Sequence, residues 1–531
     1  MVTATKRPTR SAPKAKAKPS PRGNAARGLP TPKRLSPKQR EAAVDRIAGI
    51  IRASLDAAAT TSENARHWRH TDSLSARAAF STEVRRVVRE RSRHEAENNS
   101  WYYGILKTAV NHIVGTGPRL QVLTDDPKAN KRLERAWKKW AKHTGLTEKL
   151  RVLVETYWRD GEAFALRRYR PNPSPVPLEV LTYEAEQVSS PYNQGADPQV
   201  DDGIKLDDFD QPVAYWAYDH HPGDLTVGHR DPMAGAWYPA GDMIHLFRRE
   251  RPGQIRGIPR VTPSLELFPK LRRHTAATLL AAEAVANWTM FIKTNSAVTN
   301  FTRMPEDFIA LEFARNMMTF LPESWEPFQL KAEQPTTNHE MFQRQTLMEI
   351  CRCFCMPLLL ACGTSKDSNF SSAQMDIKNI WEPEVWSERE RIETLVLERL
   401  WAWFLDDAVY TPGLLDGLPP IEEIDHQWFW DPLPVTNEVD AANAAKIRLQ
   451  TGLSTHVMEF ARNGEGDPET QFARQAALMG LTPQEYTRAI YQSLWGIDPP
   501  ATLVPRDPAQ PVQARGNRLR SRRRKPETVN Q

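Results

Sequence analysis

The chain has 531 residues and a mass of 60.5 kDa. It is 40% apolar, with 16 Trp, 18 Phe and 12 Tyr, which allows a large core and excludes a wholly disordered protein. Four Cys exclude the disulfide scaffold of a small secreted protein and fit a reducing compartment, and 42 Pro with 25 Gly follow no collagen-like period. The formal charge of +6 averages unlike parts. Residues 1–40 carry twelve Lys/Arg and residues 515–525 carry seven, neither with an acid, which leaves 52 basic against 64 acidic residues in 41–514, a net −12. Positive charge confined to the ends argues against a groove-type nucleic-acid binder, whose basic surface belongs on the fold.

Residues 1–40, rich in Lys, Arg, Ala and Pro without apolar periodicity, are expected to be disordered. A helical region follows from Pro37 to His112. Val44, Ile47, Ile51 and Leu55 mark its first part, and Val84, Val87 and Val88 stand beside Arg85, Arg86, Arg89, Arg91 and Arg93 in its second. Trp101, Ile105, Ala109 and His112 predict a further helix stopped near Gly115, Leu120 to Val122 a short strand, and 128–158 a return to helix with Leu133, Trp137, Trp140 and Leu150 in its core stripe.

The period changes over 160–250. Glu162 to Leu166, Val176 to Leu181, Gly203 to Leu206, Pro212 to Tyr218 and Met243 to Phe247 read as strands of a small, mainly antiparallel domain, with a turn at Asp207, Asp208 and Asp210. Helix resumes near 262. Thr275 to Ile292 reads as a packed helix, since Glu283 and Asn287 interrupt it and no stretch reaches 18 uninterrupted apolar residues. Asn338 is the expected N-cap of a helix running to Cys355 that Met356-Pro357 ends or bends. Gly363 to Ser372 reads as a polar loop, and a longer helix is expected after Pro383. In 437–494, Asp467-Pro468 should open a helix that Gly480 closes, and Thr482-Pro483-Gln484-Glu485 reads as a capping box.

Three groups invite a chemical reading, and each has a plainer one. Cys351, Cys353, Cys355 and Cys362 lack the paired spacing of a zinc site, and on one helix Cys353 would point away from the other two. Asp201, Asp202, Asp207, Asp208 and Asp210 can bind a divalent cation only if they converge, and turn-forming Asp is the simpler account. His220-His221 allows a loop metal site, with a surface or structural role as the alternative. There is no H-E-x-x-H, G-x-S-x-G or G-x-x-x-x-G-K-[ST] pattern. The residues themselves assemble no catalytic, cofactor or metal site.

In order and spacing, several landmarks resemble the lambda-like portal family of tailed bacteriophages. They are Asn111 to Gly117, Asp160-Gly161-Glu162-Ala163-Phe164, Arg248 to Pro259, the long helix around 274–292, and Asn369-Phe370-Ser371-Ser372-Ala373. Gln374 stands where the family often has further basic character. The resemblance implies an α+β portal fold with wing, two-helix stem, clip, tunnel loop and helical crown, assembled as a ring, usually of twelve subunits. The expected plan is a disordered basic tail (1–40), a helical and β-rich wing region (41–262), a first stem helix (263–292), the clip (293–337) and a second stem helix (338–355). The tunnel loop (356–378), a wing-return helix and connector (379–436), the crown (437–495) and a flexible basic tail (496–531) complete it.

The implied function is the channel at the unique portal vertex of the capsid, for DNA packaging and genome ejection, with no enzymatic activity and no cofactor. The implied partners are double-stranded DNA, the terminase large subunit, a head–tail adaptor and the major capsid or scaffold protein, with no membrane, in the virion and in host cytoplasm during assembly. Gly363, Thr364, Ser365, Lys366, Asp367, Asn369 and Ser371 are the expected DNA-facing collar, Lys366 touching phosphate and Asp367 opposing it. The alternatives are a metal-dependent nuclease using the Asp group, or a non-ring nucleic-acid-binding scaffold protein.

Overall fold

The computed structural model describes Ser36, Lys38, residues 65–69 and residues 71–496, apart from 171–173, 192–198, 225–230, 232–233, 288–290, 295–324, 329–335, 367–368, 435–436 and 464–467. Almost all of both basic tails, most of the expected clip, Asp367 and Asp467 therefore lie outside the described residues. The chain divides into Met1–Ser73 and Leu74–Gln531. In the first, the described part is a turn over 65–69 with Thr71 Oγ1 donating to Trp68 O. All that follows concerns the second.

Four helices open it after a short turn of helix: α1 (Ala76–Ala79), α2 (Thr82–Asn98), α3 (Ser100–Val114), then α4 (Pro127–Thr144) and α5 (Leu146–Asp160) beyond strand β1 (Arg119–Val122). Asp126 caps α4 by accepting from Lys128 N and Ala129 N, and Gly145 at φ +64° separates α4 from α5, splitting the helix expected over 128–158 in two. The buried face of α2 carries Arg85, Arg89, Ser92, Glu95 and Ala96, with Val88 packed against the large core, while Val84 is exposed.

The β region is antiparallel throughout, as its period-two pattern predicts. β2 (Glu162–Tyr169) pairs with β3 (Leu178–Tyr183) and β8 (Met243–Phe247), while β4 (Val200–Asp201), β5 (Ile204–Leu206), β6 (Pro212–Tyr218) and β7 (Gly235–Pro239) form a four-stranded meander. β2 is buried on both faces. Ala163 and Ala165 join the large helical core, and Phe164 and Leu166 join a smaller core with Ile204, Tyr215 and Met243. β1 pairs with β11 (His426–Phe429), Arg119 opposite Phe429.

Helix α6 (Leu267–Asn287) and helix α7 (Thr336–Cys353) pack together, His339 against His274 and Thr278, and Phe342 against His274. Both differ from expectation at their ends. The residues after α6 form strand β9 (Phe291–Thr294), paired antiparallel with β10 (Trp325–Phe328), so the helix does not reach Ile292. α7 starts ahead of Asn338, which is therefore not its cap, and stops at Cys353; Cys355 lies outside it at φ +50°.

α8 (Leu358–Cys362) and α9 (Phe370–Asp376) follow. From α9 the chain stays helical through a π turn (Ile377–Trp381), α10 (Glu382–Ile392), a second π turn (Glu393–Leu397) and α11 (Glu398–Ala408). This helical run begins well before Pro383, which sits in the first turn of α10 immediately after the wider turn. α12 (Glu438–Thr451), α13 (His456–Arg462), α14 (Pro468–Met479) and α15 (Pro483–Trp495) end the described chain. Gly480 follows α14 at φ +69°, and the Thr482/Glu485 capping box at α15 is formed in both directions. Among the described residues no helix is long and apolar enough to cross a membrane.

Candidate functional site

The expected collar lies in the connection from α8 to α9. Gly363 closes α8 at φ +61°, a conformation that favours glycine, and Thr364 N donates to Leu359 O at 3.2 Å. Lys366 is exposed, with Nζ 3.4 Å from Glu340 Oε1 on α7; the neighbour found for this ammonium is thus Glu340, while Asp367 lies outside the described residues. Asn369 stands at the start of α9, its carbonyl accepting from Ser372 Oγ and Ala373 N at 2.9 Å, and Ser371 is exposed in the first turn. Gly363 to Lys366 thus end one helix, and Asn369 and Ser371 begin the next. The described part of the stretch 356–378 therefore includes the helices α8 and α9. Chemically the connection between them offers hydroxyls and one solvated cation, whose exposed ion pair constrains it little.

The strings Asp160–Phe164 and Arg248–Pro259 meet in the interior. Glu162, fully buried, accepts from Arg256 Nη2 at 2.7 Å, Arg256 Nε at 2.8 Å, Gly257 N at 3.0 Å and Arg89 Nη2 at 3.2 Å. Burial is the largest single influence and would raise its pKa, but Arg256, His245 and Arg89 together outweigh it and hold the carboxyl well below its ordinary value. His245 Nε2 lies 3.2 Å from the same carboxylate, its ring stacked between Phe164 and Phe247, and burial pushes its pKa down to about 4. A Cβ on Gly257 would run into the backbone of Gly161, which itself sits at φ +93°.

A second buried group joins the same segment to α10. Arg260 stacks over Trp158 and pairs with Glu384 at 2.7 Å and Glu388 at 3.3 Å. Burial opposes ionisation of both acids. Arg260 holds Glu384 below its ordinary value, whereas burial prevails at Glu388 and raises it. The third string, Asn111 to Gly117, meets Asp431, which accepts from Thr116 N at 2.7 Å and, just beyond the string, from Arg119 Nη2 at 2.8 Å. These motifs are joints between distant segments. In them Asp160, Glu162, Glu384 and Asp431 each pair with an arginine.

The Asp group does not converge. Asp202 pairs with Arg85 at 2.6 Å and Arg256 at 3.3 Å, Asp210 pairs with Arg77 at 2.7 Å, and Asp207 Oδ1 accepts from Phe209 N and Gln211 N in the turn. Among the described residues one group of three possible metal ligands comes together, Glu184, Glu186 and His221, beside an open depression of about 480 Å³ that Glu184 and His221 help to line. Arg93 and Arg89 already lie 2.9 and 3.1 Å from Glu186 and hold it below its ordinary value against the opposing effect of burial. Gly223 N donates to His221 Nδ1, which puts the neutral ring's proton on Nε2, facing the carboxylates at 3.3 and 3.8 Å. The group is better suited to ion pairing than to a cation. The four cysteines are free; burial raises the Cys351 thiol to about 12, where it is unreactive.

Sequence reasoning missed Arg85, Arg89 and Arg93 as inward-facing partners, although their spacing of four, one helical face, was the available signal. It also missed Glu384 and Glu388, which are ordinary helix residues until Arg260 is brought to them.

A family model described as phage portal protein, lambda family, matches residues 61–383. A probable portal protein of Halomonas phage phiHAP-1 is 24% identical over 458 residues, covering 76% of this chain and 83% of the relative. Among solved structures, a chain of the virion of a native gene transfer agent particle aligns over 75% of this chain and 93% of its own length at 14% identity, TM-score 0.41. A chain from the neck of a native gene transfer agent particle, computed with C12 symmetry, aligns over 73% and 91% at 15% identity, TM-score 0.39.

Proposed function

This chain belongs to the lambda family of phage portal proteins, and we propose that it assembles, as a ring of twelve copies, into the channel of the portal vertex through which DNA is packaged and ejected. The observation that carries the reading is the family match across 61–383. The single chain supports it with large apolar side chains left in solvent: Leu279 and Leu280 on α6, Met341 and Met348 on α7, and Leu478 and Met479 on α14. Neither α12 nor α15 has a fully buried residue. Exposed apolar surface on this scale suits elements covered by neighbouring copies.

In this reading α6 and α7 are the stem, and 293–337 is the clip that meets the terminase large subunit and later the head–tail adaptor. The β region with its flanking helices is the wing against capsid or scaffold protein, and 437–495 is the crown. The turn carrying Gly363, Thr364, Ser365, Lys366, Asp367, Asn369 and Ser371 faces DNA. The chain itself performs no chemistry. Its acidic body suits sliding, because repeated phosphate contacts would trap a moving duplex.

Native mass measurement and negative-stain imaging of the purified chain test the proposal. A closed ring with a central channel is expected, and a monomer at every concentration overturns it. Lys366→Ala should leave the ring intact and alter DNA retention in filled heads; unchanged retention removes that residue from the path. Mg²⁺-dependent cleavage lost on Asp207→Asn would favour the nuclease alternative, which the use of Asp207 in its own turn disfavours.

A further inference from the structure

Between α6 and α7 two imidazoles point their nitrogens at each other. His274 Nε2 lies 3.3 Å from His339 Nδ1, with the rings 5.2 Å apart at an angle of 26°. Thr278 Oγ1, which donates to His274 O at 2.9 Å, stands 3.4 Å from the same His339 nitrogen. The Phe342 ring lies 4.3 Å from that of His274, and both histidines are half-buried, so the gap between them is reachable by a solute ion.

Two imidazole nitrogens bound to one zinc ion at about 2.0–2.1 Å and a tetrahedral angle lie about 3.3–3.4 Å apart. The separation here already matches that bite without any movement of the helices. We propose that His274 and His339 form a two-histidine clamp for a divalent transition ion of the Zn²⁺, Ni²⁺ or Cu²⁺ class, with water filling the remaining positions beside the Thr278 hydroxyl. Neutral imidazole suits these ions, whereas Mg²⁺ and Ca²⁺ take shells of oxygen ligands, towards which the groups named here offer a single hydroxyl. In the metal-free pair one facing nitrogen carries the proton that the other accepts. Binding needs a lone pair on both, so that proton moves through solvent to the far nitrogen of its own ring, with no net change in charge on either histidine. The clamp would tie together two helices whose contacting residues are 65 positions apart, at the base of the excursion that carries β9 and β10.

The test titrates Zn²⁺ into chelator-stripped, full-length protein by calorimetry, comparing wild type with His274→Gln and His339→Gln, and with His221→Gln as the control for the Glu184/Glu186 group. Wild type and His221→Gln should share one equivalent per chain that both clamp variants lose or bind at least tenfold more weakly. Paramagnetic resonance of bound Cu²⁺ should lose one coordinating nitrogen in either clamp variant. Equal stoichiometry and affinity across all four proteins would overturn the clamp and leave a pair that merely shares a proton. Wild type that takes up no equivalent overturns it without recourse to a variant. Neither result bears on ring assembly, which rests on separate observations.

Discussion

Gly257 touches the backbone of Gly161, and because both sides of that contact are main chain there is no flexible side chain to yield. Gly257→Ala should therefore cost about 3 kcal/mol through overpacking, seen as a lower urea midpoint. Its neighbour His245 makes stability depend on acid. With a folded pKa near 4 against an ordinary 6.5, the folded state binds fewer protons than the unfolded one between those values. Stability is full above pH 6.5, falls as pH drops toward 4, and loses on the order of 3 kcal/mol from this group over that window. His112 and His456, also lowered by burial, add to the same slope, so the share of His245 is the part that His245→Gln removes from a pH series of unfolding curves. Glu162 acts lower still: held charged by Arg256, it withdraws its contribution only once pH falls below the ordinary carboxylate range.

Among the helices, Arg389 of α10 finishes α3 from outside, donating to Ile113 O at 3.0 Å and His112 O at 2.8 Å while its guanidinium covers Trp430. Burial lowers it to about 10, so it stays charged at neutral pH. Arg389→Ala would strip the end of α3 of these donors, at about 2 kcal/mol, with faster amide exchange over the last turn of α3 as the local signature. Elements with a strong local signal were readable in advance: the strands beginning at Glu162, Pro212 and Met243 and the Thr482 capping box lie where the sequence puts them, whereas β4 and β7 have no counterpart among the expected strands. The ends of α6 and α7 were not, because the apolar run to Ile292 satisfies a strand as well as a helix, and Thr336 extends α7 ahead of the better capping residue Asn338. Pro383 misled for a related reason, since it was read as the start of a helix that already runs through it after a π turn. The polar turn after Gly363 was legible as a break between helices, but its Glu340 neighbour comes from α7 and leaves no local trace in the sequence.

For the molecule as a whole, the division between an acidic body and basic ends predicts separable behaviour. Deleting 1–40 and 515–531 should leave assembly intact and weaken non-specific binding to duplex DNA, with a shallower dependence of affinity on salt because fewer counterions are released. Anisotropy titrations at several salt concentrations measure this, and an unchanged slope would place the DNA contacts on the body instead.

The pairing of β1 with β11 has a temporal side. Arg119 meets Phe429 only after 310 further residues have been made, which at about 5–20 residues per second is roughly 15–60 s of translation. Until then β1 is an unpaired edge and the core around Trp137, Trp401 and Trp428 lacks one wall. A nascent chain therefore spends most of its synthesis unable to close this joint, and a chain terminated before His426 would leave β1 without its partner strand.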